Sequence, residues 1–419
     1  MKRYRFVLLV LLCLCSSPLF AKESDGMVPL FGEKLENAQM AADSWKFNDA
    51  GELYPAHKDV QIWTKEKFGS FVCKLEFKMS AGANSGFLFH CSDCDNWIPN
   101  AIEIQLLDDA GKAPQFRSSM SFYGYQAASK NVLKPAGQWN QLEVCSLGRQ
   151  VRIKLNGEIV NQIDFSQWTD NAKSPAGTEI AKKFQHRNLA GMEPYGYIGI
   201  QGMHVKDIPI TFRNLYVKRL DFSEHKATES LFGQKLEKAD YDPKIWSIDD
   251  EGILRATKDD VIWSRDKYKN FVLDLEFQTV AKANSGIVIK CDDKKKWIPN
   301  SLEVQIYDSF GEPNDFRACG SIFGRCPTLF NTCKKSGEWN KMRVVCQGDL
   351  ITVVLNGEIV TMMDKSKFKH KVKNPDGTEA YPWLRERAPA NISNEGYIGI
   401  QGLHGKQPVI YRNICIRKL

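Results

Sequence analysis

The chain has 419 residues, with 57 basic and 50 acidic side chains and a formal net charge of +7. This mild balance, with no long basic run interleaved with aromatic residues, argues against a nucleic-acid partner, and Lys294–Lys296, the largest basic cluster, is typical of a solvated loop. After residue 21 no stretch approaches the ~18 consecutive apolar residues of a membrane helix, so we expect no membrane span.

Residues 1–21 have the pattern of a secretory signal peptide. The basic segment Lys2–Arg5 precedes an apolar core at Phe6–Leu14 and a cleavage site after Ala21. We therefore expect an exported protein, either periplasmic or secreted. Cys13 and Cys15 leave a lipid anchor open as an alternative, although both follow leucine where lipid attachment needs a small residue.

Cysteine usage permits disulfides without defining a framework. Twelve cysteines occur in the chain, and the ten that follow the leader form an even number in an oxidising compartment. Cys91 and Cys94 form a CxxC motif that could be a redox pair, but without a second such motif we do not expect zinc. Cys319, Cys326 and Cys333 fall in one loop and could pair among themselves.

Most of the mature chain is a tandem duplication. The motif Asn-Ser-Gly at 84 recurs at 284, and Trp-Asn at 139, Asn-Gly at 156 and Gln-Gly at 201 recur at the same offset. Each unit is long enough to bury its own core. We therefore predict two homologous domains, at residues 27–222 and 230–419, joined by a short polar seam.

Each unit is predicted to consist of short strands joined by turns rich in Gly and Asn. A tryptophan, Trp45 or Trp246, begins a short strand, and Asn-Gly at 156 and 356 lies between two apolar runs, which is a strong hairpin signal. This pattern predicts an all-β fold of two jelly-roll β-sandwiches. The other predicted strands of the first unit are Asp59–Trp63, Phe71–Phe77, Gly86–Cys91, Ile102–Leu107, Gln141–Ser146, Val151–Leu155, Tyr197–Ile200 and Thr211–Leu220. Long surface loops near a cleft are predicted at Ser166–Tyr195 and Lys365–Asn394.

One predicted strand carries the most informative side chains. The segment Trp97–Asp109 returns at residue 297, and in both copies apolar residues alternate with Glu and Gln. Glu103 and Gln105 therefore share one face, as do Glu303 and Gln305, while the other face is apolar. Such a strand is predicted to form the floor of a polar cleft.

Six motifs in fixed order, each occurring twice, carry a family resemblance. They are NSGFLFH and NSGIVIK, IEIQLLD and LEVQIYD, GQWN and GEWN, LNGEIV in both units, GYIGIQGMH and GYIGIQGLHG, and TFRNLYVKRL and YRNICIRKL. In both units the chain resembles the 3-keto-disaccharide hydrolase domain family. The resemblance implies a concanavalin-like, glucanase-like jelly roll acting on sugars oxidised at carbon 3. Two positions depart from the family pattern: His90 and Lys290 replace Arg, and Val205 stands where the second unit keeps Gly405.

The implied substrate defines the chemistry that the site must supply. A 3-keto sugar has an acidified C2 hydrogen, so its glycosidic bond can break by proton abstraction and elimination, which needs a base and a group that stabilises the enolate. Glu103 with His204 and Glu303 with His404 are the predicted catalytic residues, and partial burial should raise the carboxyl pKa toward neutral. A purely structural role for the two histidines stays open. Predicted substrate contacts are Gln105, Tyr197, Gln201, Trp97 and His90 in the first unit, and Gln305, Tyr397, Gln401, Trp297 and Lys290 in the second.

Other polar residues have more structural interpretations. Arg213 and Arg412 are predicted to tie neighbouring carboxylates, and Asn84 and Asn284 to head turns that admit positive φ. No cofactor is identified from the sequence; a divalent metal, if present, is expected to have oxygen and imidazole ligands in the cleft, with Glu303 and His404 as the first candidates.

Two functional classes remain open at this point. The family resemblance predicts an exported enzyme, a hydrolase or lyase of oxidised (3-keto) glycosides. The alternative is a tandem carbohydrate-binding protein without catalysis, since lectins share this fold.

Overall fold

The computed structural model describes residues 26–205, 207–221 and 226–419, so the predicted signal peptide lies outside the described residues. Nearly all regular structure in these ranges is β. The strands of the first copy are β1 Val28–Pro29, β2 Ala38–Met40, β3 Trp45–Phe47, β4 Leu53–Pro55, β5 Gln61–Phe68, β6 Phe71–Met79, β7 Asn84–Cys91, β8 Ile102–Leu107, β9 Trp139–Leu147, β10 Gln150–Leu155, β11 Glu158–Asp164, β12 Gly196–Gln201 and β13 Ile210–Arg219.

The second copy repeats this order. Its strands are β14 Glu229–Ser230, β15 Ala239–Asp240, β16 Trp246–Ile248, β17 Leu254–Ala256, β18 Val261–Ser264, β19 Phe271–Thr279, β20 Asn284–Cys291, β21 Leu302–Tyr307, β22 Trp339–Gln347, β23 Leu350–Leu355, β24 Glu358–Asp364, β25 Tyr397–Gln401 and β26 Val409–Lys418. One short helix, α1, spans Trp97–Asn100. Single 3-10 turns occupy Phe165–Gln167, Lys182–Phe184, Leu189–Gly191, Lys294–Lys296, Ile298–Asn300, Lys365–Lys367, Pro382–Leu384 and Pro389–Asn391.

Within the described residues, each copy folds into one eight-stranded and one five-stranded antiparallel sheet. The larger sheet of the second copy has the order β16-β17-β26-β19-β22-β23-β24, with β14 added on β26, and the smaller has the order β15-β18-β25-β20-β21. Apolar residues of alternate strand positions fill the space between the two sheets, such as Phe277, Ile289 and Val304, each fully buried. The predicted all-β fold of two tandem jelly-roll sandwiches is therefore confirmed.

The Asn-Gly hairpins form as predicted. Asn156 has φ 51° and Gly157 has φ 85°, and Asn356 and Gly357 have φ 54° and 89°. Both central residues of each turn are thus left-handed, which matches the twist of the flanking strands β10 and β11, or β23 and β24.

The turn expected at Asn-Ser-Gly lies elsewhere. Asn84 and Asn284 are the first residues of strands β7 and β20, and the positive φ values fall two residues earlier, at Gly82 (78°) and Lys282 (64°). The prediction that the two asparagines head turns is therefore wrong. They begin the strand pairing and present their side chains to the outer face of the five-stranded sheet, where Gln105 or Gln305 bonds to them.

The two arginines of the last motif have the predicted structural role. Arg213 Nε donates to Glu76 at 2.6 Å, and Arg412 Nε donates to Glu276 at 2.7 Å. Each guanidinium also lies over a tryptophan ring, Arg412 at 3.9 Å from the centroid of Trp339.

A buried contact joins the two copies. Glu358 at the start of β24 accepts a hydrogen bond from the backbone N–H of Gly69 at 3.0 Å and pairs with Arg219, both in the first copy. Tyr195 of the first copy stacks on Phe330 of the second with ring centroids 4.6 Å apart. An apolar cluster around this contact contains Val72, Cys145, Leu147, Leu220, Val354, Ile359 and Met362.

No helix in the described ranges combines the length and apolar character that crossing a membrane requires. No disulfide joins the ten cysteines of these ranges in this structure, and Cys73 is buried in the core as predicted.

Candidate active site

A cavity of about 640 Å³ opens on the outer face of the five-stranded sheet in the second copy. Its floor comes from strands β18, β25, β20 and β21, and its rim from the segments around residues 294–301 and 383–392. The long loop Lys365–Asn394 therefore reaches the cleft, as predicted. Its polar lining residues include Asp259, Asn284, Glu303, Gln305, Gln401 and His404, and its aromatic lining residues are Trp263, Trp297, Phe323 and Trp383.

Glu303 lies at the floor of this cavity. It is the second residue of β21, pairs with Val288 across the sheet, and points away from the apolar core that Leu302 and Val304 enter. Burial raises the pKa of Glu303 to about 8. Within the described ranges no group makes a hydrogen bond to its carboxyl, so neither proton state is fixed by a partner.

Two glycines leave room for the side chains of Glu303 and Trp263 on the cavity floor. A Cβ on Gly286 would lie 2.1 Å from Glu303 Oε1, and a Cβ on Gly399 would lie 2.8 Å from two ring atoms of Trp263. Both glycines sit inside strands, where Gly is otherwise unfavourable. Because Gly286 and Gly399 have no side chains, Glu303 and Trp263 can lie flat on the sheet.

Two amides border the carboxyl. Gln305 Nε2 donates to Asn284 Oδ1 at 2.7 Å, and Gln401 lies on the neighbouring strand β25 with only 5% of its surface exposed. The first copy repeats the pair, with Gln105 and Asn84 at 2.6 Å. Because the amide orientation is fixed by this bond, these groups form a pre-organised polar wall.

His404 pairs with an aspartate that the sequence analysis missed. Its Nδ1 lies 2.9 Å from Asp259 Oδ2, and both residues line the cavity. His204 and Asp59 repeat the contact at 2.8 Å. A neutral imidazole that donates from Nδ1 leaves Nε2 as an acceptor, so the carboxylate sets the tautomer and the ring orientation.

The aromatic wall combines buried and exposed rings. Trp297 packs on Trp263 with centroids 6.5 Å apart in an edge arrangement, so it both caps this cluster and lines the cavity. Tyr397 belongs to the same outer-face cluster, and its ring lies 3.8 Å below the Lys294 ammonium. Tyr397 itself is not among the cavity-lining residues.

The first copy keeps the polar residues but changes the electrostatics. Burial raises the pKa of Glu103 to about 7, and the Lys183 ammonium opposes part of that shift. Lys183 lies 4.8 Å from the centroid of Phe184 and occupies the position of Trp383 in the second copy. A cation thus replaces an aromatic ring near the first carboxyl. Tyr197, Trp97 and Trp63 form the outer-face cluster here, and Gln201 is 8% exposed.

The turn that carries the histidine also differs between the copies. In the second copy Gly405 N donates to Asn284 O, and a Cβ on Gly405 would lie 2.9 Å from Asn284 Cβ. In the first copy the N–H of His204 makes the equivalent bond, to Asn84 O at 3.0 Å. The turn has therefore moved by one residue, which places Val205 at the surface, 38% exposed, and avoids the clash.

His90 and Lys290, which were predicted to contact substrate, do not reach the cleft. Lys290 Nζ donates to the carbonyls of Gly348 and Asn394 inside the protein, and His90 Nε2 lies 3.1 Å from Gly69 O. Both have positive φ, 56° and 51°, at a bulge where β20 and β7 hold one extra residue. That extra residue turns the side chain inward, and burial lowers the pKa of His90 to about 4.

The described residues include no group of three or more His, Cys, Asp or Glu side chains that could hold a metal ion. The predicted metal site thus stays a hypothesis. The candidate donors in the cavity are Glu303 and the pair formed by His404 and Asp259.

Comparison with known proteins bears on the family of the chain. A family model described as a 3-keto-alpha-glucoside-1,2-lyase-like domain matches residues 26–218 and again residues 227–417. The chain belongs to this family. The resemblance drawn from the paired motifs is thereby confirmed, in two tandem copies.

Individual relatives of the lyase-like family cover one copy at a time. A Bacteroides thetaiotaomicron protein named 3-keto-disaccharide hydrolase is 31% identical over 196 residues, which are 41% of this chain and 63% of that protein. The chain thus spans less than two thirds of the length of this curated relative.

Two solved structures resemble one copy each. A Parabacteroides distasonis protein, provisionally assigned as a glycosyl hydrolase, is 46% identical and covers 46% of this chain and 98% of its own, with a TM-score of 0.44. The carbohydrate-binding module CBM66 of Bacillus subtilis is 10% identical and covers 41% of this chain and 91% of its own, with a TM-score of 0.26.

Proposed function

We propose that the second copy cleaves 3-keto-glycosides, with Glu303 as the base that removes the C2 proton. The observation that carries this proposal is the Glu303 carboxyl, held without a hydrogen-bond partner among the described residues at the floor of a cavity walled by amides and tryptophans. Family membership and the name of the Bacteroides relative support a sugar substrate of this class.

The chemistry balances without an external redox partner. The C3 carbonyl acidifies the C2 hydrogen, and Glu303 takes that proton while the C–H electron pair forms an enolate. Collapse of the enolate forms a C1=C2 double bond and breaks the C1–O bond, so the leaving oxygen departs and gains a proton. Addition of water across the new double bond then gives the free 3-keto sugar, which makes the net reaction a hydrolysis.

The shifted pKa suits this role. A base works best when its pKa is near the working pH, because it then combines basicity with a useful ionised fraction. With its pKa raised to about 8, Glu303 is a far stronger base than an ordinary carboxylate. His404 is oriented by Asp259 in the same cavity, and in its imidazolium form, with Nδ1–H donated to Asp259, it is placed to give its Nε2 proton to the leaving oxygen.

The first copy has features that favour sugar binding without turnover. Lys183 lies beside Glu103 and the histidine turn is shifted by one residue, although the amide pair is retained. We also infer that the protein is exported through residues 1–21, so its substrates are glycosides outside the cytoplasm.

The decisive experiment uses the mature protein and a 3-keto disaccharide in D₂O. Release of free sugar carrying deuterium at C2 is expected for elimination followed by hydration, whereas direct hydrolysis would leave C2 unlabelled. Glu303→Gln should lower kcat by ~10²–10⁴-fold, as for loss of a general base, and Glu103→Gln should do less. Wild-type turnover by both variants and by the double variant would overturn the assignment. Binding of the keto sugar without cleavage would support the lectin-like alternative.

A further inference from the structure

We propose that Trp383 forms the leaving-group subsite of the second copy and selects glycosides whose leaving group has a flat, apolar face. This inference rests on the proposed function, because it needs the keto sugar to present C2 to Glu303. The face can belong to a second sugar ring or to an aromatic aglycone, and both offer the same stacking chemistry.

Trp383 is a largely exposed tryptophan at the cavity. It lines the cavity, and 55% of its surface is open to solvent. Within the described ranges it is the only tryptophan among the exposed large hydrophobic residues, and Ile298, 42% exposed, lines the same cavity. Apolar groups exposed at a cavity mouth are typical of a binding surface rather than of a core.

The ring is held in place without a ligand. Trp383 stacks on Tyr381 with centroids 5.1 Å apart and planes at 9°, and Tyr381 packs on Phe323 at 5.1 Å. Pro382, just before Trp383, begins a 3-10 turn, and Arg325 donates to the backbone carbonyl of Leu384, just after Trp383. Such pre-organisation lowers the entropic cost of binding a planar group.

The depths of Glu303 and Trp383 in the cavity indicate that Trp383 contacts the leaving group. Glu303 lies at the floor, over Gly286, while Trp383 lies at the open rim. A keto sugar with C2 against the Glu303 carboxyl fills the floor, and its substituent on C1 must extend toward the rim. The aromatic platform therefore meets the part of the substrate that departs.

The first copy shows what the site is without this platform. Lys183 and Ala181 occupy the positions of Trp383 and Tyr381, so the stacked pair is missing there. The preference for a flat leaving group is thus specific to the second copy.

The test compares substrates that differ only in the leaving group. Trp383→Ala should lower kcat/KM about 5- to 10-fold on the substrate whose leaving group stacks on the tryptophan, which is a 3-keto disaccharide or an aryl 3-keto-glucoside. On methyl 3-keto-glucoside kcat/KM should stay unchanged. Comparing the disaccharide with the aryl glucoside shows whether the stacking face belongs to a second sugar ring or to an aromatic aglycone. Phe310→Ala, an exposed aromatic residue outside the cavity, is the matched control and should change none of these rates.

A binding measurement keeps this inference distinct from the proposed reaction. Calorimetry on Glu303→Gln should show tighter binding of the disaccharide or the aryl glucoside than of the methyl glycoside, and Trp383→Ala should remove that difference. If no keto sugar is cleaved but this difference appears and depends on Trp383, the reaction fails and the subsite stands. Equal effects of Trp383→Ala on all three substrates, or no effect on any, would refute the subsite.

Discussion

His404 Nδ1 lies 2.9 Å from Asp259 Oδ2, although the two residues are 145 positions apart in the chain. About half of each side chain is exposed, and such pairs contribute little to folding stability. The pair therefore serves to orient the imidazole over the cavity.

Asp259→Asn tests that orientation. The amide can no longer fix the imidazole tautomer as a carboxylate does, so we expect kcat on a 3-keto disaccharide to fall by roughly 10²-fold, the low end for an acid–base group. The pH–rate profile should also change shape, while the melting temperature stays the same. Asp249→Asn, which removes an exposed carboxylate of the same copy that pairs with Arg255, is the control. An unchanged profile would mean that the pair is structural.

The partly buried Glu303 should destabilise the protein at alkaline pH. Its pKa is about 8 in the folded state against about 4.5 when unfolded, so only the unfolded state loses the proton between these values. Stability attributable to this group is complete below pH 4.5 and is lost as pH rises to 8. Glu303→Gln should therefore raise the melting temperature at pH 8.5, by roughly 2–4 °C for each kcal/mol relieved, with little effect at pH 4.5. An equal gain at both pH values would contradict this account.

Gly286→Ala should displace the Glu303 carboxyl without changing any polar group. The added methyl would lie 2.1 Å from Oε1, so the side chain must rotate away. We expect turnover to fall by at least ~10²-fold, and the pKa of Glu303 should move toward its ordinary value as the group becomes hydrated. Wild-type kinetics in this variant would show that the observed placement of Glu303 is not required.

The contact between copies should depend on one ion pair. Burial raises the pKa of Glu358 to about 7, and Arg219 opposes that shift. Arg219→Ala leaves the carboxyl buried without its cation, so we expect roughly 3 kcal/mol of destabilisation at pH 8 and a smaller loss at pH 5, where Glu358 is protonated. Arg255→Ala, which breaks an exposed pair, should leave the melting temperature almost unchanged. A pH-independent loss for Arg219→Ala would show that packing on Phe68 is its main contribution.

Export predicts the oxidation state of two thiol pairs. The side chains of Cys319 and Cys333 contact each other, as do those of Cys91 and Cys94. Mature protein isolated from its natural compartment should begin at Lys22 and show both pairs as disulfides by mass spectrometry without reductant, because an oxidising compartment favours them. An intact leader would contradict the export proposal, and a lipid on Cys13 or Cys15 would contradict the expectation that the exported protein is free of lipid.

Local patterns predicted the strands well. The strand Ile102–Leu107 has the predicted bounds, and Thr211–Leu220 is shifted by one residue from the observed Ile210–Arg219. The alternation of Glu and apolar residues also placed Glu103 and Glu303 on the outer face. Period-two alternation depends only on the strand itself, so a single stretch of chain carries enough information.

The remainder of the site depends on contacts that no local pattern records. Asp259 and Trp263 line the same cavity as Glu303 only because β18, β25, β20 and β21 lie side by side in that order. Asp59 and Asp259 do recur at the offset of 200 that revealed the duplication, and this signal could have identified them. Trp383 sits in a loop without periodicity, and a one-residue bulge turned Lys290 inward, so neither position was predictable.

The apolar contact between the copies is heterologous, since it uses different surfaces of two similar units. Repeated units that meet head to tail in this way can add further copies, into a ring if the rotation closes and into an open polymer if it does not. In the first copy, however, the positions of Val354, Met362 and Phe330 are Lys154, Gln162 and Lys130. The face that a further copy would need is therefore polar, with Lys130 already paired to Glu158. The duplicated protein is thus protected against fibre growth by the polar side chains of the first copy's solvent-exposed face.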